Sequence, residues 1–163
     1  NISLVAAIAV TMILIGLTFG SALLGALAAI PNFLPLAAAG SFLYLTGEGL
    51  QITSVVALTV AFGIAVDDTI HLLHDWRRRQ GVEDIQTSVK NSLVRVGPVL
   101  IATTVILTFG FATTAASTMP IVRTFGGICV LTIGVALIAD LLLMPALLIL
   151  FGRHLRKFAS ETK

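Results

Sequence analysis

The sequence predicts an all-α integral membrane bundle of five transmembrane helices, with one amphipathic helix on the cytoplasmic surface. Of the 163 residues, 57% are hydrophobic and only 11% are charged, whereas a soluble domain carries about 25% charged residues. Long apolar stretches recur along the chain, and a helix needs about 20 apolar residues to cross a bilayer. A water-exposed fold could not bury this much apolar surface, so lipid is the expected solvent.

Five apolar stretches are long enough, or nearly so, to cross the membrane. They cover about residues 2–19, 33–46, 52–76, 96–116 and 121–151. The second stretch is short, and it begins at a breaker between Pro31 and Pro35, because proline disrupts a helix interior. The uncharged residues 20–30 before this breaker predict an interfacial turn or a short helix. In the fourth stretch, Pro98 falls in the first turn, where a missing N–H costs little.

The fifth stretch is longer than one crossing requires. It should therefore tilt, begin at the interface, or end near Pro145. Between the third and fourth stretches, apolar residues recur at helical spacing with polar residues between them. The apolar residues are Val82, Ile85, Val89 and Leu93, and the polar ones are Glu83, Asp84, Lys90 and Asn91. This pattern predicts an amphipathic helix over about 82–94, lying along the membrane surface.

The basic residues predict the orientation of the bundle. One group lies between the third and fourth spans, and a second group follows the fifth span, so both fall on one side. The groups are Arg77, Arg78, Arg79, Lys90 and Arg95, and then Arg153, Arg156, Lys157 and Lys163. By the positive-inside rule this side is cytoplasmic. Residues 1–152 are thus expected to form a transmembrane half-domain whose amino end starts outside, and residues 153–163 a cytoplasmic tail.

The first residue, Asn1, opens directly in a hydrophobic run without a basic n-region. A secretory signal peptide would carry that n-region, so we expect a fragment of a longer protein that follows a missing external domain. The net charge is only +2, and nucleic acid is not an expected partner. The lone Cys129 rules out an internal disulfide and a cysteine-based metal site, and is interpreted as a small apolar packing residue.

Three acids lie deep within the predicted spans. Asp67 is ten residues before Arg77, which puts it about 15 Å into the membrane, and Asp68 is its neighbour. Asp140 is thirteen residues before Arg153, about 20 Å deep by the same rise. Burying one such acid costs at least about 2.5–3.5 kcal/mol. Desolvation and mutual repulsion favour the protonated form, so Asp67 and Asp68 are predicted to form a proton relay.

Several polar side chains are placed to support this relay. His71 lies one helical turn after the paired acids and can reach back to either. The threonines Thr103, Thr104 and Thr108 of the fourth span lie at comparable depth and can donate hydrogen bonds, although threonines in membrane helices commonly bond their own backbone or a neighbouring helix. Asp140 is either a relay member or a structural acid. His71 and His74 also fit the approach to the interface, where Asp75 should be paired or capping.

Two other kinds of site use the same residues. A metal site could draw on the stripe formed by Asp67, His71, His74 and Asp75, completed by Asp140. An intramembrane aspartyl protease would need two acids on different helices sharing a proton about 3 Å apart. Tyr-Asp and Gly-X-Gly-Asp contexts typical of those proteases are absent. We therefore expect neither a metal site nor an enzyme.

Glycines in the spans predict close approach of helices, since small residues allow tight crossings. They are Gly63, Gly110, Gly126, Gly127 and Gly134. Such crossings suit either rocking helices or tight static packing.

Four motifs, taken in order, resemble the resistance–nodulation–division superfamily, and within it the MMPL-type and hopanoid-transporter-like lipid exporters. Residues 63–72, GIAVDDTIHL, resemble the Asp-bearing helix motif. Residues 31–35, PNFLP, resemble the breaker after the second half's first helix. Residues 97–104, GPVLIATT, with Gly110 and Phe111, resemble the next-to-last helix, and residues 139–148, ADLLLMPALL, resemble the last.

This resemblance implies the last five of twelve helices, after a second large periplasmic domain, in a bacterial-type inner membrane. It implies export of lipids or other hydrophobic molecules, driven by proton entry through Asp67 and Asp68, with the proton motive force and no cofactor. The expected partners are membrane lipids, the hydrophobic substrate, the missing amino-terminal half and periplasmic domains, and a second copy of the chain. The superfamily also contains sterol-sensing modules, so a lipid or sterol sensor without transport is an alternative.

One departure from the multidrug exporters concerns the counter-charge of the acids. In that branch the paired acids belong to the first half and meet an intramembrane Lys, whereas here they lie in the second half and the predicted spans contain no Lys. His71 or the missing half could supply the counter-charge, or proton uptake alone could neutralise the acids.

Overall fold

A computed structural model describes residues 22–47, 51–79 and 83–161, and also positions 13, 16 and 49. For residues 22, 23 and 153–161 it describes the backbone only. The described part is all helical and contains no β-strand. Its elements are α1 (Ala22–Leu45), α2 (Ile52–Arg79), α3 (Ile85–Ala115), α4 (Pro120–Ile138), a π-helical turn (Ala139–Leu143) and α5 (Met144–Glu161). The predicted first span, 2–19, lies outside the described residues except for two positions.

Four described stretches are long and apolar enough to cross a membrane. They are Leu24–Leu45, Ile52–Arg79, Ile85–Ala115 and Pro120–Gly152. The last combines α4, the π turn and the beginning of α5 in one continuous crossing of 33 residues. A membrane-embedded bundle with an all-α fold is thereby confirmed, with four of the five predicted spans represented.

Helix α1 corrects the predicted breaker at Pro31–Pro35. The helix begins at Ala22 and passes through both prolines without ending, so residues 22–30 are helical and the second span is not short. A proline removes one backbone hydrogen bond, but in lipid an ended helix would expose many unpaired backbone groups. Continuing the helix therefore costs less than breaking it.

Helix α3 corrects the predicted surface helix over 82–94. From Ile85 onward, that segment and the predicted fourth span form one helix of 31 residues. It is about 46 Å long, which exceeds a hydrocarbon core of about 30 Å. Its apolar residues face the bundle, since Val89 is buried and Leu93 packs against the same core cluster. Pro98 lies in the middle of this helix. The carbonyl that it leaves without a helical partner belongs to Val94, which is exposed.

The last crossing does not end near Pro145. Instead the helix widens just before it, and the Met144 N–H bonds the Ala139 carbonyl five residues back. Pro145 has no N–H, and its ring would clash with the carbonyl of Leu141 in a regular α-helix. The π turn accommodates both constraints, and it contains Asp140.

Two apolar clusters form the core. The first cluster comprises Leu24, Leu27, Ala28, Phe62, Val66, Leu72, Leu73, Trp76, Val89, Met144 and Leu148. The second cluster comprises Ala39, Leu43, Ala57, Leu58, Ala61, Ile128, Cys129 and Ile133. Cys129 is fully buried there, which confirms it as a packing residue.

Arg77, Arg78, Arg79 and Lys90 lie at one end of the bundle, and the backbone of residues 153–157 begins beside that end. A Cβ placed on Gly152 would lie 3.0 Å from Ile85 Cγ2, so the backbone that leads into the second basic group passes the start of α3. We call this the basic end, defined by the end of α2 and the start of α3. Arg123 lies near the start of α4, at the opposite end.

Close helix contact occurs at Gly126, one of the five glycines for which it was predicted. A Cβ on Gly126 would collide with the backbone of α3, including the Phe111 carbonyl oxygen at 2.7 Å. At Gly63, Gly110, Gly127 and Gly134 a Cβ would meet no described atom within 4 Å. Among the described helices, the tight crossing is therefore found at Gly126, and close approach at the other four glycines stays a prediction.

Candidate functional site

The paired acids of α2 occupy different environments although they are neighbours in sequence. The side chain of Asp67 is 70% exposed, whereas Asp68 is only 8% exposed. The cause is helical geometry, because successive residues point about 100° apart. Asp67 therefore lies on the outer face of the bundle, and Asp68 on the inner side of the same helix.

His71 contacts Asp67, the exposed member of the pair. Its Nε2 lies 3.5 Å from Asp67 Oδ2, one helical turn away, and its side chain is 66% exposed. The sequence left open which acid His71 would reach. The structure assigns it to Asp67, where a protonated imidazole would form an ion pair on the outer face.

A buried polar network crosses the bundle next to Asp68. The Thr69 hydroxyl oxygen lies 2.7 Å from Asp140 Oδ1 in the π turn, and Asn32 Nδ2 of α1 donates to the same hydroxyl oxygen at 3.1 Å. All three residues are at most 2% exposed. On α1 and on the last crossing, Asn32 and Asp140 fall between residues of the two apolar clusters.

Two atoms of this network have no hydrogen-bond partner among the described residues. They are Asp140 Oδ2 and Asn32 Oδ1, and both are buried. A buried polar atom without a partner costs about 1–3 kcal/mol. The network therefore holds three segments together while leaving two acceptor oxygens unused.

An open cleft of about 340 Å³ lies between α2 and α3. Its lining residues are Asp67, Asp68, His71, His74, Asp75, Arg95, Val96, Val99, Leu100 and Thr103. Along α2 the polar lining runs from Asp68 to Asp75, about two turns, toward the basic end. The buried carboxyl of Asp68 thus borders an open cleft, and the α2 wall of that cleft carries ionisable side chains as far as Asp75.

The predicted supporting threonines occupy three different settings. Thr103 lines the cleft, but its hydroxyl donates to its own backbone, at 3.1 Å from Val99 O and 3.0 Å from Leu100 O. The hydroxyl of Thr104 is buried without a partner among the described residues. Thr108 is half-buried one turn further along α3 and is not part of the cleft lining.

Asp75 is paired at the interface, as expected. Its Oδ2 accepts a hydrogen bond of 3.0 Å from Arg79 Nε, and Arg79 Nη1 also lies 3.5 Å from Glu83 Oε1. Asn91 Nδ2 of α3 donates to Glu83 Oε2 at 3.0 Å. This chain of contacts joins the end of α2 to the start of α3 and holds the mouth of the cleft.

Four of the residues considered for a metal site, Asp67, His71, His74 and Asp75, line the cleft, but Asp140 does not join them. Within the described ranges, no three His, Cys, Asp or Glu side chains lie close enough to hold a metal ion. Asp140 is buried in the network, whereas Asp67 and His71 face outward. The oxygen Oδ1 of Asp140 lies against the Thr69 hydroxyl, and a protease dyad would need a second carboxyl there.

Sequence reasoning missed Asn32 and Thr69 as site residues. A signal was present for each, since Asn32 is a polar residue inside an apolar stretch and Thr69 directly follows the paired acids. A polar side chain within a membrane helix needs a partner. Which partner it finds depends on how the helices pack, and the sequence alone does not specify that packing.

Comparison with known proteins agrees with this membrane architecture. Residues 19–161 match the family model described as the sterol-sensing domain of SREBP cleavage-activation. A protein of Methanocaldococcus jannaschii, named only as a membrane protein, is 29% identical over 107 residues. The aligned region covers 64% of this chain and 27% of that relative, so the chain spans about a quarter of the relative's length. Because the family model covers nearly the whole chain, the chain belongs to the sterol-sensing domain family.

Proposed function

We propose that this chain is the membrane part of a proton-driven exporter of lipids or other hydrophobic molecules, of the resistance–nodulation–division type. The observation that carries the proposal is the position of Asp68, which is 8% exposed yet borders the open cleft between α2 and α3. Burying a carboxyl within a membrane helix costs free energy, so a carboxyl at this position indicates a function. The proposed exporter needs no cofactor, because the proton motive force supplies the energy for export.

The cleft provides the path for protons in this proposal. His74 and Asp75 line it between Asp68 and the basic end, and side chains of these types can relay protons. By the positive-inside rule the basic end is cytoplasmic. In this orientation the amino end of the chain is outside, and Asp68 releases its proton toward the cytoplasm. The proposed membrane is a bacterial-type inner membrane.

The outward pair of Asp67 and His71 indicates a partner surface. Both side chains are more than half exposed in the described chain, and charged groups facing lipid are costly. In the proposed exporter, the remaining membrane helices of the same protein cover this face and supply a counter-charge. A second copy of the chain is the other occupant that we consider.

A sensor of sterols or other lipids, without transport, is the second candidate function. Membership of the sterol-sensing domain family favours it directly. In a sensor, Asp67 and Asp68 would act as structural polar groups. Their conversion to amides would then leave lipid binding and the response to lipid intact.

The two functions are separated by the double substitution Asp67→Asn, Asp68→Asn in the complete protein. We would reconstitute it into proteoliposomes under an imposed pH gradient and follow the efflux of a fluorescent phospholipid and of a fluorescent sterol. An exporter loses gradient-driven efflux at least tenfold while membrane insertion is normal. The matched control is Asp84→Asn, an acid outside the cleft. A sensor shows no gradient-driven efflux even in the wild type. Its binding of the fluorescent sterol is unchanged by the double substitution.

A further inference from the structure

The buried network contains one hydroxyl group whose hydrogen has two acceptors to choose from. Thr69 Oγ1 lies 2.7 Å from Asp140 Oδ1 and 3.1 Å from the Ala65 carbonyl oxygen. It also accepts a hydrogen from Asn32 Nδ2. A threonine hydroxyl has one hydrogen to donate and two lone pairs to accept with. The protonation state of Asp140 therefore decides how the three contacts are used.

An ionised Asp140 fits this arrangement poorly. Thr69 would then donate to Asp140 Oδ1, and its contact with the Ala65 carbonyl would lose its hydrogen. The other carboxylate oxygen, Oδ2, would carry negative charge while buried without any partner in the described chain. An unpaired buried charge is strongly unfavourable.

A protonated Asp140 uses every hydrogen of the network. Its Oδ1–H donates to Thr69, Thr69 donates to the Ala65 carbonyl, and Asn32 donates to Thr69. Both lone pairs of the hydroxyl are then occupied, and so is its hydrogen. The two oxygens that remain without partners, Asp140 Oδ2 and Asn32 Oδ1, are uncharged.

The groups that face Asp140 do not offset a negative charge. Helix α2 contributes Asp68, which is a second acid and brings no positive charge. Helix α1 contributes the uncharged Asn32 and contains no acid, lysine, arginine or histidine. On the last crossing the bases flanking Asp140 are Arg123, near the distant start of α4, and Arg153, beyond residue 152. From α3, Gly97 approaches Leu141, the residue after Asp140, and Arg95 lies on the cleft.

We propose that Asp140 is a proton-binding site, distinct from the cleft, that is loaded in this arrangement of helices and locks α1 and α2 to the π turn. Loss of its proton leaves a bare carboxylate oxygen in the core, so the π turn must separate from Thr69 or admit water. Packing of three segments is thereby linked to one protonation event. The site does not depend on whether Asp68 drives export.

Infrared difference spectroscopy tests this proposal on the complete protein in lipid nanodiscs, without any transport assay. A protonated carboxyl has a carbonyl stretch that an ionised one lacks. We expect a band of this kind at neutral pH that disappears as the pH is raised. The band is absent in Asp140→Asn and persists in Asp68→Asn and in Asp67→Asn. Identical spectra for the wild type and Asp140→Asn at every pH would overturn the proposal.

A second variant assigns the band independently, should Asp140→Asn fail to fold. Thr69→Val removes the hydrogen-bond acceptor of the carboxyl, so the band moves to higher frequency, whereas Thr69→Ser restores the original position. A band that Thr69→Val leaves in place does not arise from Asp140, and the proposal fails. Loss of export in Asp68→Asn with this band retained would support both proposals separately.

Discussion

At the scale of single residues, Asp67 and Asp68 show how one position along a helix changes the chemistry of a carboxyl group. Asp67 faces outward with His71 3.5 Å away, and Asp68 is buried against the cleft. The outer acid can meet a partner surface, and the inner acid can exchange protons with the cleft. Their functions are therefore expected to differ, although the two aspartates are consecutive residues of the same helix.

Removal of the Thr69 hydroxyl tests the buried network at this scale. We expect Thr69→Val to lower the free energy of unfolding by about 1–3 kcal/mol, because Asp140 Oδ1 and Asn32 Nδ2 lose their shared partner. The matched control is Thr103→Val on α3, whose hydroxyl bonds its own backbone and should cost less than about 1 kcal/mol. Denaturation of the purified protein in detergent measures both, and equal losses would contradict the network's structural role.

Part of the candidate site could be predicted from the sequence. The depth of Asp68 and Asp140 follows from counting residues to the nearest basic interface, and the structure buries both. The Asn32–Thr69 contact spans 37 positions in sequence and depends on the relative rotation of two helices, which the sequence does not specify. The relay roles of Asp67, His71 and Thr103 stay predictions, as do those of Thr104 and Thr108.

At the scale of helices, the wrong predictions came from prolines, which commonly end helices in soluble proteins. The prolines of α1 and Pro98 of α3 lie inside continuous helices. In lipid, backbone groups have no water to bond, so a chain keeps its helix and tolerates a missing hydrogen bond. Long apolar stretches were reliable, because each must be helical to cross a membrane at all.

The crossing of α3 and α4 provides a test with an adjacent control. Gly126→Ala should lower the free energy of unfolding by about 1–3 kcal/mol through overpacking, because the added Cβ meets the Phe111 carbonyl and neighbouring backbone atoms. Gly127→Ala adds the same group to the same helix, where no described atom lies within 4 Å. Its effect should be near zero or slightly stabilising, since alanine favours helix. Unfolding of the two variants in detergent measures the difference, and similar losses would contradict the tight crossing.

At the scale of the whole molecule, the outer surface of the described helices combines apolar faces with a polar strip on α2. Exposed residues of α3 such as Ile106 and Phe109 are apolar, as expected for contact with lipid. The strip on α2 carries Asp67 and His71, and Val60 lies on the same face, two turns before Asp67. In the proposed exporter, other helices of the protein cover this strip.

Spin labelling can locate that partner surface. In the complete protein, a label at Val60→Cys should be shielded from oxygen dissolved in lipid, because partner helices cover it. A label at Ile106→Cys, which is 70% exposed on α3, should be fully accessible. Cys129 is buried and should contribute little background. Equal accessibility at both positions would mean that the polar strip faces lipid.

In the proposed exporter, protonation of Asp68 couples proton movement to export. The most direct measurement follows the internal pH of proteoliposomes that contain the complete protein, when a fluorescent phospholipid substrate is added under a pH gradient. We expect a substrate-dependent proton flux in the wild type and in Asp84→Asn, and its loss in Asp68→Asn. A flux in Asp68→Asn equal to that of the wild type would show that Asp68 does not couple protons to export.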